Sequence, residues 1–280
     1  MIVLSLFNGM NTGRQALENV GIKVDKYYSS EIKPYAIELT QHHFPDTIQV
    51  GDVTKWREWN IDWKTIDLVL SGSPCQDLSA AGKRVGINGN KSSLFFVFIE
   101  ILEHIKSLNS KVLFFQENVG SANKLDIGIM SRALGVYPCR INSSLLTAQL
   151  RDRYYWSNIR TKEDGMFGDI ITDIPQPKDK GLLFQDVLTS GYTDRKKARA
   201  VLESEERQLV NKDKLYKRYT ELGMINLVFD NPQFLPNNNV RILNKIELCR
   251  LQGFTDNYCD ILTRNHAASL LGDGWTLPII

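Results

Sequence analysis

Asp67-Leu68-Val69-Leu70-Ser71-Gly72-Ser73-Pro74-Cys75-Gln76-Asp77-Leu78-Ser79 reads as a strand that empties into a tight loop. Ile66 to Leu70 is a short apolar run, closed by Ser71, Gly72, Ser73 and Pro74. That pattern predicts a buried strand of a parallel sheet. Pro74 fixes its own φ and drives Ser73 toward extended geometry. Cys75 then sits at the carboxyl end of the strand, where open α/β sheets place their chemistry. A lone cysteine is more often a small buried hydrophobe. Here the preceding proline and the polar neighbours argue for a reactive thiol.

Upstream, Ile2 to Phe7 is a first buried strand. It runs into Asn8-Gly9-Met10-Asn11-Thr12-Gly13 and then a helix from Arg14 to Val20. Glycine lets backbone approach a ligand, and a helix N-terminus offers free N–H groups. The loop is not Gly-x-Gly-x-x-Gly, so a dinucleotide pyrophosphate is not its obvious guest. Val24 to Ser30 predicts a second strand, ending at Glu31, whose carboxylate can accept from ribose hydroxyls. Pro34 to His43 predicts a helix. Ile48 to Val53 predicts a third strand carrying Asp52 at its end, able to accept from an adenine amine. A glycine loop, Glu31 and Asp52 on successive strand tips describe a site for an adenosine-containing cofactor without phosphate clamps. Each alone has a plain alternative: a turn, a helix-start carboxylate, a turn Asp.

Downstream, the polar stretch from Ser79 to Ser92 holds Lys83, Arg84 and Lys91 and predicts a mobile active-site loop. Leu94 to Ile105 is an apolar helix, and Val112 to Phe115 a strand with Glu117 just past its tip. Glu117 neighbours Cys75 if the strand order is regular. A helix is expected over Gly128 to Leu134, and strands over Cys139 to Ala148 and Tyr154 to Ile159. Arg151 and Arg153 alternate on extended chain and so point the same way, although surface ion pairing is the commoner use of such arginines. From Arg160 onward prolines, glycines and polar residues dominate. Residues 194–218 carry nine lysines and arginines against five acidic residues, with Tyr192, Tyr216 and Tyr219 nearby. That suits a nucleic-acid surface or a solvated helix face. Arg241 to Gly253 predicts an amphipathic helix and Asn265 to Leu271 a last one.

The 280 residues suit one large α/β domain with a smaller one, and 42% hydrophobic content supports a core. A net charge of +2 is too small to announce nucleic acid, so any such footprint is local. No run of about eighteen apolar residues spans a membrane. The N-terminus shows no basic leader. Cys75, Cys139, Cys249 and Cys259 form no Cys-x-x-Cys pair, so reduced thiols and no metal site are expected in a cytoplasmic, or nucleoid-associated, protein.

Five motifs in order resemble the DNA cytosine-5 methyltransferase family. Ser5-Leu6-Phe7-Asn8-Gly9-Met10-Asn11-Thr12-Gly13 is similar to its cofactor loop, Ser73-Pro74-Cys75-Gln76 to its nucleophile motif and Glu117-Asn118-Val119 to its base-activating motif. Gln149-Leu150-Arg151-Asp152-Arg153 resembles its Gln-x-Arg-x-Arg motif, and Arg241 with Glu247 and Arg250-Leu251-Gln252-Gly253-Phe254 its late helix. Arg153 to Asn158 and Leu271 to Pro278 are most similar to the animal de novo branch, as a stand-alone catalytic domain. The resemblance implies an α/β, Rossmann-like S-adenosylmethionine-dependent methyltransferase with a mostly parallel sheet, plus a small target-recognition lobe. Residues 1–159 would bind cofactor and catalyse, 160–239 recognise the target, and 240–280 return to the catalytic domain. It implies catalysis by Cys75, Glu117, Arg151 and Arg153. It implies cofactor contacts from Phe7, Asn8, Gly9, Met10, Thr12, Gly13, Glu31, Ile32, Asp52, Val53, Pro74, Leu94, Asp273, Gly274 and Trp275. DNA contacts would come from Gln76, Lys83, Arg84, Lys196, Lys197 and Arg241. Double-stranded DNA is the implied partner, with a cognate restriction enzyme as a further candidate. Asp273 stands where most members carry Asn. Methylation of RNA cytosine, or a binding module without activity, remain the alternatives.

Overall fold

A computed structural model describes residues 1–74, 94–164, 168–203, 212–221, 223, 225–234 and 240–280. The chain divides into two compact units, Met1–Ile141 with Asp152–Gln176, and Asn142–Arg151 with Pro177–Ile280.

The first unit begins β1 (Ile2–Leu6), α1 (Thr12–Asn19), β2 (Lys26–Ser30), α2 (Pro34–His43), β3 (Ile48–Gln49) and β4 (Leu68–Ser71). It continues with α3 (Leu94–Leu108), β5 (Leu113–Val119), α4 (Lys124–Leu134) and β6 (Cys139–Asn142). After β7 (Gln149–Leu150), which lies in the other unit, come β8 (Asp152–Ser157), β9 (Thr161–Asp164) and β10 (Asp169–Thr172). One seven-stranded sheet has the order β3-β2-β1-β4-β5-β8-β6. β1 pairs in parallel with both β2 and β4, and β4 with β5. The order reverses at β1/β4, the position where open α/β sheets form a crevice at their carboxyl ends. β1, β4 and the first half of β5 are largely apolar, as strands buried on both faces are. Leu4, Val69 and Phe114 are buried, and they pack with Phe98 and Ile101 of α3.

β8 departs from the parallel pattern. It runs antiparallel to β5, with Phe115 opposite Ser157, Glu117 opposite Tyr155 and Val119 opposite Arg153. This pairing draws β5 on to Val119, so Glu117 lies inside the strand rather than beyond its end. Trp156 fills the core beneath and donates its indole N–H to Ser131 Oγ at 3.0 Å. Asn158 extends the ladder with its side chain: Oδ1 accepts from Phe114 N at 2.8 Å and Nδ2 donates to Val112 O at 3.0 Å. The β9–β10 hairpin joins this unit because Thr172 Oγ1 accepts from Ser157 N and Tyr137 N donates to Ile170 O.

Two further expected strands are shorter than their apolar runs. The third ends at Gln49, and Val53–Glu58 is a 3-10 helix capped by Asp52, which accepts from Thr54 N at 2.9 Å. β6 ends at Asn142, whose side chain accepts from Ser144 N at 3.0 Å and opens a 3-10 turn. In both cases a short polar side chain offers the backbone an alternative to the ladder.

The second unit holds α5 (Phe184–Val187), β11 (Ala198–Arg199), α6 (Lys212–Thr220), β12 (Val228–Phe229), β13 (Val240–Arg241), α7 (Lys245–Gln252) and α8 (Arg264–Asp273). β11 pairs in parallel with β7, and β12 antiparallel with β13. α7 starts at Lys245, later than its apolar period suggests, because Asn244 and Glu247 close a capping box there. Arg241 consequently lies in a strand, outside the helix. No helix among the described residues is long and apolar enough to cross a membrane.

Asn158→Ala should cost about 1–3 kcal/mol, because it strands a backbone donor and acceptor at the end of the β5–β8 ladder. Urea unfolding measures this, and an unchanged midpoint would show that water replaces the side chain freely.

Candidate functional site

The loop after β1 is shaped by left-handed backbone: Phe7, Gly9 and Asn11 have φ of 56°, 57° and 64°. A bulky residue rarely adopts that region, so Phe7 is held there by its surroundings. Glu31 ties the loop to the end of β2. Its Oε2 accepts from Gly9 N at 2.7 Å, and its Oε1 from Ile32 N at 2.7 Å and Lys33 N at 2.9 Å. A carboxylate has about four acceptor sites, which leaves capacity for a hydroxyl. Asp52 at the next tip is held below the usual carboxylate range, first by the Thr54 N–H and then by the Thr54 hydroxyl. Met10 and Val53 are buried and apolar, Phe7 is half-buried and Ile32 is exposed. Thr12 and Gly13 form the buried first turn of α1.

The structure gives Asn8 a different task from its neighbours. Its Oδ1 accepts from the Tyr27 hydroxyl at 3.2 Å and its Nδ2 donates to Thr40 Oγ1 at 3.4 Å. Burial raises the Tyr27 pKa, so this hydroxyl stays protonated and remains a donor. Asn8 anchors the loop from beneath with its side chain.

Beyond β4, Ser73 is buried and its Oγ accepts from Gln116 Nε2 at 3.0 Å and Asn118 Nδ2 at 3.4 Å. Gln116 and Asn118 share one face of β5, so the face that carries Glu117 is the other one. This clamp holds the residue before Pro74, itself half-buried. Cys75, Gln76, Lys83 and Arg84 lie outside the described residues. Leu94 opens α3 and packs partly buried against the core.

On the opposite face of β5, Arg153 Nε pairs with Glu117 Oε1 at 2.7 Å, the two side chains 15% and 11% exposed. Their strand positions are diagonal neighbours, within reach of a long side chain. Gly120 permits the close approach at this end of the sheet. A Cβ there would meet Asp152 Cγ and O at 2.8 Å.

Arg151, expected beside Arg153 in catalysis, is used otherwise. It belongs to the second unit and is buried, donating to Val201 O at 3.1 Å, Gly272 O at 3.0 Å and Gly274 O at 2.7 Å. Extended chain breaks at Arg151 between β7 and β8, so the two arginines do not share a face. Arg151 holds the turn that carries exposed Asp273 and half-buried Gly274 and Trp275. Gly272 is required in that turn, since a Cβ would come within 2.3 Å of Leu202 C.

The expected DNA-binding cations also divide. Lys196 is exposed. Lys197 Nζ donates to Ser144 O at 2.6 Å and Thr147 O at 3.2 Å. Arg241 forms a fork on Glu247 at 2.8 and 2.7 Å and donates to Ser190 O at 2.6 Å. Both are spent inside the unit because backbone carbonyls and a buried carboxylate there need donors. Asn11, Ser73 and Gln116 were not singled out from sequence. A polar Gln116 within an apolar strand was the available signal.

A family model described as C-5 cytosine-specific DNA methylase matches residues 1–133. The orphan methyltransferase M.SPRI of Bacillus phage SPR is 33% identical over 172 residues, covering 56% of this chain and 37% of that protein. The type II methyltransferase M1.ScrFI of Lactococcus lactis subsp. cremoris is 28% identical over 307 residues, covering 99% of this chain and 75% of that protein. The structure of a methyltransferase from Entamoeba histolytica aligns with a TM-score of 0.69 at 17% identity, covering 99% of this chain and 94% of that one. The chain thus spans little more than a third of the phage relative's length. The mostly parallel seven-stranded sheet is that of a Rossmann-like α/β fold of the methyltransferase type. More particularly, the chain belongs to the cytosine-5 methyltransferase family.

Two predictions follow from the second unit's buried charges. Arg151→Lys should lose about 2–4 kcal/mol in urea unfolding, because a compact ammonium cannot span three carbonyls. A loss below about half a kcal/mol would show the carbonyls to be served by water instead. Burial raises the Glu247 pKa, but bonds from Arg241, Thr189 and Asn244 outweigh it and leave it below the ordinary 4.5. A depressed folded value means that the ionised group stabilises the fold above about 4.5, and that this contribution is lost as pH falls through the folded value. Glu247→Gln should lower the melting temperature near neutral pH and flatten the acid limb of the stability profile, as read by thermal melts across acid pH.

Proposed function

We propose that this chain transfers a methyl group from S-adenosylmethionine to C5 of a cytosine in double-stranded DNA, through a covalent bond between Cys75 Sγ and cytosine C6. The observation that carries the reading is Glu117, paired with Arg153 of β8 and lying on β5 next to the strand that leads toward Pro74-Cys75, with Ser71 opposite Gln116. The strand tips fit the cofactor. Glu31 retains acceptor capacity for ribose hydroxyls, Asp52 stays ionised to accept from the adenine amine, and Met10 and Val53 offer apolar surface. Asn11 adds a buried amide with no partner. Bound there, S-adenosylmethionine supplies an electrophilic methyl group.

Cytosine C5 is a poor nucleophile. Addition of the Cys75 thiolate to C6 gives C5 enamine character, so that C5 can bond to the methyl carbon while the methyl–sulfonium bond breaks and its electron pair leaves with the thioether S-adenosylhomocysteine. Glu117 holds the N3 edge, where negative charge would otherwise accumulate, and Arg153 donates to O2. The Arg153 field also favours the thiolate. Water then takes the C5 proton, the C–H electron pair forms the C5–C6 double bond, and the Cys75 thiolate leaves, restoring the aromatic ring. C6 is inaccessible within a stacked duplex, so the base must leave the helix. Target recognition is assigned to the part of residues 160–239 within the second unit, with exposed Lys196 as a phosphate contact.

The test is tritiated methyl transfer to DNA and to RNA, wild type beside Cys75→Ser. Incorporation into DNA and loss of about a thousandfold or more in the serine variant are expected, since a hydroxyl is scarcely ionised near neutrality. Incorporation into RNA alone would replace the substrate. Near-normal turnover by the serine variant would remove Cys75 as nucleophile.

A further inference from the structure

Asn11 stands at the entrance to α1 with φ 64° and ψ 32°. It is 0% exposed, and neither its Nδ2 nor its Oδ1 has a hydrogen-bond partner. A primary amide sealed from water with both ends unpaired is costly, and native proteins keep few of them. The local partners are closed off. A side chain at this position ordinarily accepts from the N–H groups of the first helical turn, yet Asn11 makes no such bond. The neighbouring amide of Asn8 is engaged by Tyr27 and Thr40. The first turn of α1 holds no acidic residue, so its positive end is uncompensated and favours an anion. The next two strand tips carry Glu31 and Asp52, which repel one. An adenosine cofactor with an amino-acid tail would therefore turn its carboxylate toward α1 and its hydroxyls and amine toward the acids.

We propose that the Asn11 carboxamide is a side-chain contact for the amino-acid end of S-adenosylmethionine, Nδ2 donating to the carboxylate and Oδ1 accepting from the ammonium. This rests on the cofactor reading given above. The plain alternative is that Asn is tolerated here because it enters the left-handed region more readily than other side chains. Glycine enters that region at no steric cost, so Asn11→Gly removes the amide while keeping the backbone.

Calorimetric titration of the full chain with S-adenosylhomocysteine and with 5′-methylthioadenosine, which lacks the amino-acid tail, decides the matter. Asn11→Gly should bind S-adenosylhomocysteine about tenfold or more weakly, the value of a hydrogen bond to a charged group, and bind methylthioadenosine as the wild type does. Asn11→Asp should bind the tailed ligand more weakly still. The ligand-free melting temperature of Asn11→Gly should not fall. Unchanged affinity for S-adenosylhomocysteine in Asn11→Gly, or an equal loss for both ligands, overturns the contact. A wild type that binds neither ligand overturns the cofactor reading itself, and this inference with it.

Discussion

Strand β8 enters the sheet antiparallel, and its pairing with β5 sets the positions of Glu117 and Arg153. Val119 and Arg153 face each other, which puts Arg153 one diagonal step from Glu117. A slip of one residue would turn Arg153 to the other face, where Gln116 and Asn118 hold Ser73. Several contacts resist that slip. Trp156 is locked into the core through Ser131, Asn158 closes the edge against Val112 and Phe114, and only a glycine at position 120 fits against Asp152. The Glu117–Arg153 pair contributes little net stability on its own, since desolvating two charges roughly cancels their attraction. What it does contribute is a fixed geometry that the rest of the sheet has already enforced.

Several of the described cations work inward. Arg14 pairs with Glu18 and Asp46 while lying over Tyr27 and Phe44. Arg195 donates to Ile225 O at 2.8 Å and lies 4.0 Å above the Tyr219 ring. With Arg151, Lys197 and Arg241, these cations supply donors to carbonyls and carboxylates that the fold would otherwise strand. The planar guanidinium suits this work because its donors fan out in fixed directions. The electrostatic surface of the basic stretch is accordingly smaller than its composition implies, and Lys196 is among the residues that keep a charge in water.

The loop after β1 and the segment after β4 are held in different ways at neighbouring strand ends. After β1 the backbone itself is forced into left-handed geometry at Phe7, Gly9 and Asn11, and Glu31 braces it through the Gly9 N–H. After β4 a side-chain hydroxyl, that of Ser73, is gripped from the neighbouring strand. Backbone strain and a buried hydrogen-bond network both limit movement, the first by excluding alternatives and the second by making them costly.

The amino-acid sequence by itself determined the alternation of strand and helix, the parallel order of the first strands, and the acidic tips Glu31 and Asp52. These follow from local periodicity and from residues adjacent in the chain. The helix from Pro34 to His43 needed nothing more, because its proline start and apolar spacing are local signals. Tertiary structure decided which of two arginines, separated by a single residue, faces Glu117, and which cations remain available to a partner. Those outcomes depend on backbone carbonyls at Val201, Gly272 and Gly274 that lie far along the chain from Arg151. They depend as well on a buried carboxylate, Glu247, that reaches Arg241 through a helix cap. A charged side chain carries no mark of its partner, and only the folded chain brings the competing acceptors within about 3 Å of it.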